Sequence, residues 1–466
     1  MYDLVVVGSG PGGYVAAIRA AHRGAKVALV EKAQIGGTCL NRGCIPTKAL
    51  VRSAEIYGNV RRAQEFGVRV EGVGFDFGRV MARKRQVVQR LVGGVEYLLK
   101  ANGVEVFRGK ARVPRPGLVE VELPDGTAPL ETRNVILATG SAHALPPLPP
   151  ESIALCISSD QALELDRPPE SLVVIGGGVL GVEFACIYAA FGARAQIVKR
   201  TPLVLPPMDD EISQRIAPLL KKANITVTSG VFVKRVEKTS AGLVLLADLK
   251  EGGEARFEGE AILIAMGRVP DFGGIDLDAL GVAYDRRGIK VDARMRTSVP
   301  GIYAVGDVVG RYYLASVASA EGIAAVDDIC GHGRDMDYAA VPQCVFSSPE
   351  AAGVGLKERE ARERGIELVV SRFPYAANGK ALALGETDGL VKVVAKAQDR
   401  KLLGVHLLGA RATDLIHEAA LAIKLGATAH DLAALIHAHP TLSETIMEAA
   451  HGASHLSIHQ APPRRG

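Results

Sequence analysis

The chain opens on an apolar run, Leu4-Val5-Val6-Val7, with little alternation, as in a strand buried on both faces. The run ends at Gly8-Ser9-Gly10-Pro11-Gly12-Gly13, after which apolar positions recur at helical spacing as far as Ala21. Beyond Gly24 the text predicts a second strand over 26–30, closed by Glu31. The same pattern returns at a constant offset. An apolar run over 172–175 leads into Gly176-Gly177-Gly178-Val179-Leu180-Gly181, a helix, Gly192 and a strand over 194–198. Gly8, Gly10, Gly13 and Gly24 map onto Gly176, Gly178, Gly181 and Gly192 without a gap.

Two further strands read as each unit's return to its own sheet. One covers 134–137 and runs into Ala138-Thr139-Gly140; the other covers 261–264 and runs into Ala265-Met266-Gly267-Arg268. The proline-rich 145–150 and Arg167-Pro168-Pro169 look like linker, and Ala304-Val305-Gly306-Asp307 is another strand ending in a Gly-Asp turn. After about residue 338 the text alternates, as in Leu390-Val391-Lys392-Val393-Val394-Ala395, predicting antiparallel sheet, with helices over 412–425 and 443–452. The fold class is α/β: two dinucleotide-binding, Rossmann-like units followed by an α+β portion.

Both glycine runs are GxGxxG in a strand–turn–helix setting, which lets backbone N–H groups approach a pyrophosphate at a helix N-terminus. Gly8, Gly10, Gly12 and Gly13 would line the first such site and Gly176, Gly178 and Gly181 the second. Glu31 stands where an acceptor for ribose hydroxyls belongs. Lys199 takes its place in the second unit, followed by Arg200. A lysine cannot accept from a ribose hydroxyl but attracts a 2′-phosphate; it can equally be a solvated strand end.

A length of 466 residues suggests about three domains, and 48% hydrophobic residues with 52 glycines suit an α/β enzyme. The net charge of +4 does not suggest nucleic acid, and Pro462-Pro463-Arg464-Arg465-Gly466 reads as a frayed tail. No leader and no membrane-spanning stretch is legible, which predicts a cytoplasmic protein without a membrane partner. No His/Cys set has zinc spacing, so no metal site is predicted.

Among six cysteines, Cys39 and Cys44 lie five positions apart within Gly36-Gly37-Thr38-Cys39-Leu40-Asn41-Arg42-Gly43-Cys44-Ile45-Pro46-Thr47-Lys48. A disulfide closing so small a ring is a poor staple. Two such thiols are better suited to opening and closing with two electrons, although two inert buried cysteines would look the same.

With these residues in view, the chain resembles the flavin-dependent pyridine nucleotide–disulfide oxidoreductases, and most of all the dihydrolipoyl dehydrogenases, over essentially its whole length. The resemblance is carried by the two fingerprints, the Cys39–Cys44 segment, Ala304-Val305-Gly306-Asp307 and His437-Ala438-His439-Pro440-Thr441-Leu442-Ser443-Glu444. It implies an FAD-binding domain over 1–142, an NAD(P)-binding domain over 143–268, a second part of the FAD-binding or central domain over 269–338, and a C-terminal dimerisation domain over 339–466. FAD would be held by the first glycines, Glu31, Lys48, Thr139, Gly140 and Asp307. NAD would be held by Gly176, Gly178, Gly181, Lys199 and Gly267, with NADP admitted by Lys199.

The resemblance further implies a redox disulfide in which Cys44 is the flavin-side sulfur and Cys39 the interchange sulfur. Lys48 would pair with Glu183 near the flavin. The protein would be a homodimer in which His439 and Glu444 serve the thiols of the other copy. His439 would be the base and Glu444 its orienter, with His437 as the rival histidine. Partners would be a lipoyl-bearing acyltransferase or a glycine-cleavage carrier protein. Two departures stand out: Arg42 where a valine is usual, and Lys199 where a glutamate is usual. The second suggests a rival enzyme, an NADPH-dependent disulfide reductase; a non-catalytic flavoprotein scaffold is a rival of another kind. Mercuric reductase is disfavoured by the missing terminal cysteine pair, and a soluble transhydrogenase by the presence of Cys39.

Overall fold

The computed structural model describes residues 1–240, 242–454 and 456–460, so the 462–466 tail lies outside the described residues. The chain forms two compact units. The first comprises Met1–Leu145, Ser158–Arg167 and Gly267–Met336; the second comprises Pro146–Ile157, Pro168–Met266 and Asp337–Gly466.

In the first unit, strand Tyr2–Val7 lies between Val27–Glu31 and Gly126–Leu137, parallel to both where they pair, with Val7 opposite Val30 and Leu137. Glu105–Arg108 extends the sheet on one side and Ile302–Ala304 pairs with the far end of Gly126–Leu137. The strand order reverses at the first strand, which opens a crevice at its carboxyl end where Gly8 begins the glycine run. Helix Pro11–His22 turns Gly12, Gly13, Ala16, Ala17 and Ala20 inward. These small side chains admit helix Ala315–Ile329 so closely that a Cβ on Gly322 would come within 2.5 Å of the Gly12 carbonyl oxygen. The predicted return strand is longer than its apolar text. Gly126–Leu137 also pairs antiparallel with Leu118–Leu123, where alternating burial replaces the continuous apolar run.

The second unit repeats the plan. Ser171–Ile175 is flanked by parallel Arg194–Val198 and Ala261–Ile264, and Ile225–Thr228 completes four strands. Helix Val179–Ala190 follows the second glycine run. The C-terminal residues build a five-stranded antiparallel sheet with Ala351–Gly355, Leu402–Leu408 and Leu390–Lys396 at its centre. Helices Ala412–Lys424 and Glu444–Gly452 pack on it around Tyr375, Val393, Ile416 and Ile446.

Alternation along Leu390–Lys396 does not mark an exposed face: every residue but the last is buried, Lys392 included. The Lys392 amine meets Asp209 at 2.7 Å, Glu358 at 2.8 Å and Glu211 at 3.4 Å. Asp209 also caps helix Asp210–Lys222 by accepting from the Glu211 N–H at 3.0 Å. A buried ammonium persists because three carboxylates compensate its lost hydration.

Candidate active site

The two glycine runs have the same geometry as well as the same sequence. Gly8 has φ +102° and a Cβ there would lie 2.3 Å from the Ala138 oxygen; Gly176 has φ +121° and would meet the Ala265 oxygen at 2.3 Å. Neither position admits another residue. Gly10 and Gly178, by contrast, face open space, with nothing within 4 Å of a Cβ. Each run therefore leaves room for a pyrophosphate directly before a helix N-terminus, and the chain fits two dinucleotides. Gly12 has another duty: a Cβ there would press on Ala318 and Val305 at 3.2 Å.

The strand-end residues differ in kind. Glu31 is buried and accepts from the Ser9 N–H at 2.8 Å, the Ser9 hydroxyl at 2.6 Å and the Ala33 N–H at 2.7 Å. It fixes the turn and still has lone-pair capacity for a ribose hydroxyl. Lys199 is buried too, but its stem lies across Gly177 and its amine donates to the Thr201 carbonyl. Burial holds the Lys199 amine below the ordinary lysine value.

Cys39 sits in the short helix Gly37–Arg42, and Cys44 is the first residue of helix Cys44–Arg61. Gly43 joins them with φ −140° and ψ −109°. A sulfur at a helix N-terminus faces free N–H groups and the positive end of the dipole, which favours thiolate. The hydrogen bond with Cys44, together with burial, pushes the Cys39 thiol well above its ordinary value, against the nearby Lys48 cation. Arg42, between the two cysteines in sequence, faces a carboxylate. Its guanidinium lies 3.7 Å from Asp160, which also holds the His143 Nε2 at 3.1 Å.

Asp307 lies in the turn Gly306–Val309, shaped by the buried Glu321, which accepts from the Gly306 N–H at 2.7 Å. Ser141 donates its hydroxyl to Asp307 and receives Arg268 Nε at 2.6 Å. Burial nevertheless raises the Asp307 carboxyl above its ordinary value. Thr139 donates to the Asp271 carbonyl, and the Gly140 carbonyl accepts from Asp271 N–H at 3.0 Å. Gly267 begins the return to the first unit, its carbonyl accepting from Ala144 N–H at 3.0 Å.

In the second unit, Glu183 is 1% exposed and accepts from the Phe346 N–H at 3.0 Å. His439 Nδ1 contacts Glu444 at 2.9 Å, and the other Glu444 oxygen accepts from Thr441 N–H at 2.8 Å. Burial pushes the Glu444 carboxyl up, but the bonds from Thr441 and His439 outweigh it and the group stays below its ordinary value. The His439 side chain is 79% exposed, so its Nε2 faces outward. His437 is 4% exposed and has both nitrogens engaged, on the Leu435 carbonyl at 2.9 Å and Glu418 at 2.7 Å. Of these two histidines, His439 is the one placed to take a proton from outside. Sequence reading missed Glu418, Asp160, His143 and Ser141, because none sits in a motif and each is brought in by the fold.

The pyridine nucleotide–disulphide oxidoreductase family model matches residues 2–322, and that family's dimerisation domain matches residues 341–450. A dihydrolipoyl dehydrogenase of Bacillus subtilis is 42% identical over 98% of this chain and 99% of its own length. Another, of Chlorobaculum parvum, is 44% identical over 97% of both chains. The chain belongs to the dihydrolipoyl dehydrogenases. It is thus an oxidoreductase that uses FAD and NAD, and it carries the family's dimerisation domain. Among solved structures, an HOCl-induced flavoprotein disulfide reductase from Escherichia coli superimposes on the dehydrogenase with a TM-score of 0.86. It is 29% identical, over 96% of this chain and 99% of that one. Among the described residues no helix is long and apolar enough to cross a membrane, and no cluster of side chains could hold a metal ion.

Proposed function

We propose that the enzyme oxidises dihydrolipoyl groups carried on a protein, as the dehydrogenase component of a 2-oxo acid dehydrogenase complex or of glycine cleavage. The observation that carries this reading is the thiol pair itself, Cys39 hydrogen-bonded to Cys44 at the start of a helix, in a segment whose Gly37 packs against Gly10 of the first glycine run. In a homodimer, His439 of one copy takes a proton from a substrate thiol near the other copy's pair, while Glu444 steadies the imidazolium. The substrate thiolate attacks Cys39 of the oxidised pair, the Cys39–Cys44 bond breaks, and Cys44 leaves as thiolate. The second substrate thiolate attacks the substrate sulfur of the mixed disulfide, which releases the oxidised lipoyl group and leaves Cys39 reduced. Bound FAD supplies the two-electron passage from the Cys44 side to the nicotinamide. Lys48 and Glu183 are assigned to the flavin's surroundings, Asp307 and Glu31 to its ribityl and ribose ends. A cytoplasmic location belongs to the same reading.

Lys199-Arg200 favours a second reading, in which NADP is the nucleotide and a disulfide is reduced. Anaerobic stopped-flow with dihydrolipoamide, followed by NAD or NADP in parallel, separates the two. Rapid enzyme reduction by dihydrolipoamide with reoxidation by NAD supports the dehydrogenase. Reduction by NADPH alone would overturn it.

A further inference from the structure

Helix Phe77–Ala101 buries Phe77, Met81, Lys84, Val95 and Leu99. At 3.6 residues per turn these positions share one side, and Arg79, Arg83 and Arg90 fall on the opposite side with Gln86 between them. All four are exposed, and the stripe runs about 16 Å along the axis at about 1.5 Å per residue. Lys84 is not part of it, since its amine turns inward to the Leu163 carbonyl and to Glu164 at 2.6 Å. Arg79 and Arg90 have no carboxylate partner among the described residues, and Arg83 reaches only the Ala49 carbonyl, at 3.4 Å.

That last contact locates the stripe. Ala49 lies five residues after Cys44 in helix Cys44–Arg61. Further along the long helix, Val95 and Leu99 share an apolar cluster with Leu40 and Cys39. The long helix thus packs by its apolar side on the segment that carries the thiols, its outer side carries the stripe, and Arg83 alone of the three arginines reaches the helix that begins at Cys44. Between residues 44 and 101 eleven lysines and arginines stand against five acidic residues, a larger excess than the whole chain's +4. A row of unneutralised like charges at i, i+4 and i, i+7 destabilises a helix on its own.

We infer that this arginine stripe is the docking surface for the carrier protein, and that the carrier presents an acidic face to it. The inference rests on the functional reading above. Dihydrolipoamide is neutral and has nothing to gain from distant arginines. A carrier with carboxylates around its lipoyl-lysine is steered toward the stripe and held by guanidinium–carboxylate pairs while its arm reaches the thiols.

The test compares a recombinant lipoylated carrier domain of acidic surface, reduced to its dithiol form, with free dihydrolipoamide on the holoenzyme. For the carrier, kcat/KM should fall about tenfold between about 20 mM and about 200 mM salt. The Arg79→Glu/Arg83→Glu/Arg90→Glu enzyme should lose about tenfold or more on the carrier at low salt. Dihydrolipoamide turnover should stay within about twofold in both cases. The triple glutamine variant, a milder change on an exposed helix face, should show a smaller loss of the same kind. Carrier turnover insensitive to salt and to both variants would overturn the inference, as would equal losses on both substrates. A wild-type enzyme that oxidises no dihydrolipoamide would instead remove the functional reading, and this inference with it.

Discussion

Glu418 holds the Nε2 of His437 at 2.7 Å, which takes one of the two candidate histidines out of the chemistry and makes it a fixture of the loop. The hydrogen bond to Glu418 raises His437 above the ordinary histidine value, against its own burial. The sign of the linkage follows. Stabilisation by this pair is fully present below about pH 6.5 and is lost as pH rises through the higher folded value. His437→Gln should cost about 1–2 kcal/mol at pH 6, and less at pH 9. Its kcat should stay within about tenfold of wild type. Denaturant unfolding at the two pH values checks this.

His439→Gln should behave in the opposite way. Its exposed ring contributes little to packing, so unfolding should shift by less than about 0.5 kcal/mol. Oxidation of dihydrolipoamide should fall about 10²–10⁴-fold. Steady-state assays beside thermal melts separate these effects.

Removal of Cys44 should change its neighbour. The hydrogen bond with Cys44 is the largest cause that raises the Cys39 thiol, so in Cys44→Ser the Cys39 thiol should ionise at lower pH than in the reduced wild type. The rate of iodoacetamide alkylation of Cys39 against pH reads this directly. An unchanged profile would mean that burial alone sets the Cys39 value.

The second glycine run offers a matched pair. A Cβ on Gly178 meets nothing within 4 Å, so Gly178→Ala should fold normally and raise the KM for NAD about tenfold or more by filling the pyrophosphate's place. A Cβ on Gly181 would lie 2.1 Å from the Gly176 oxygen, so Gly181→Ala should cost several kcal/mol, about 2–4, in stability. Melts and NAD saturation curves on the two variants give the contrast.

Lys199→Glu tests the strand-end difference. An acceptor there would copy what Glu31 offers in the first unit, and kcat/KM for NAD should rise about tenfold. If the ratio of NAD to NADP turnover does not move, the ribose is held by other groups.

Much of this fold was legible because the glycines are steric requirements. Gly8 and Gly176 allow nothing else, so the repeat is written into the sequence and the strand ends at Glu31 and Val198 follow from it. The thiol pair and the His439–Glu444 pair were legible for a similar reason, their chemistry being local. The contacts that sequence could not show are those between distant segments. Arg42 lies between the two cysteines in sequence, and the carboxylate that its guanidinium meets is Asp160, more than a hundred residues away. Lys392 looked like the polar side of an alternating strand, and it is one of the least exposed lysines in the chain. Periodicity reports which face a residue occupies, not which segment covers that face.

The Lys392 cluster also limits how the protein can be divided. Its ammonium belongs to the antiparallel sheet, while Asp209 and Glu211 belong to the helix that follows the second glycine-run fold. Cutting the chain between them takes two of the three carboxylates from Lys392, leaving it only Glu358, and leaves Asp209 without its cation. The nucleotide-binding repeat looks modular in sequence, but lifting out either piece breaks up a buried ion cluster and costs it stability. Domain-swapping or truncation schemes should treat the two as one indivisible body.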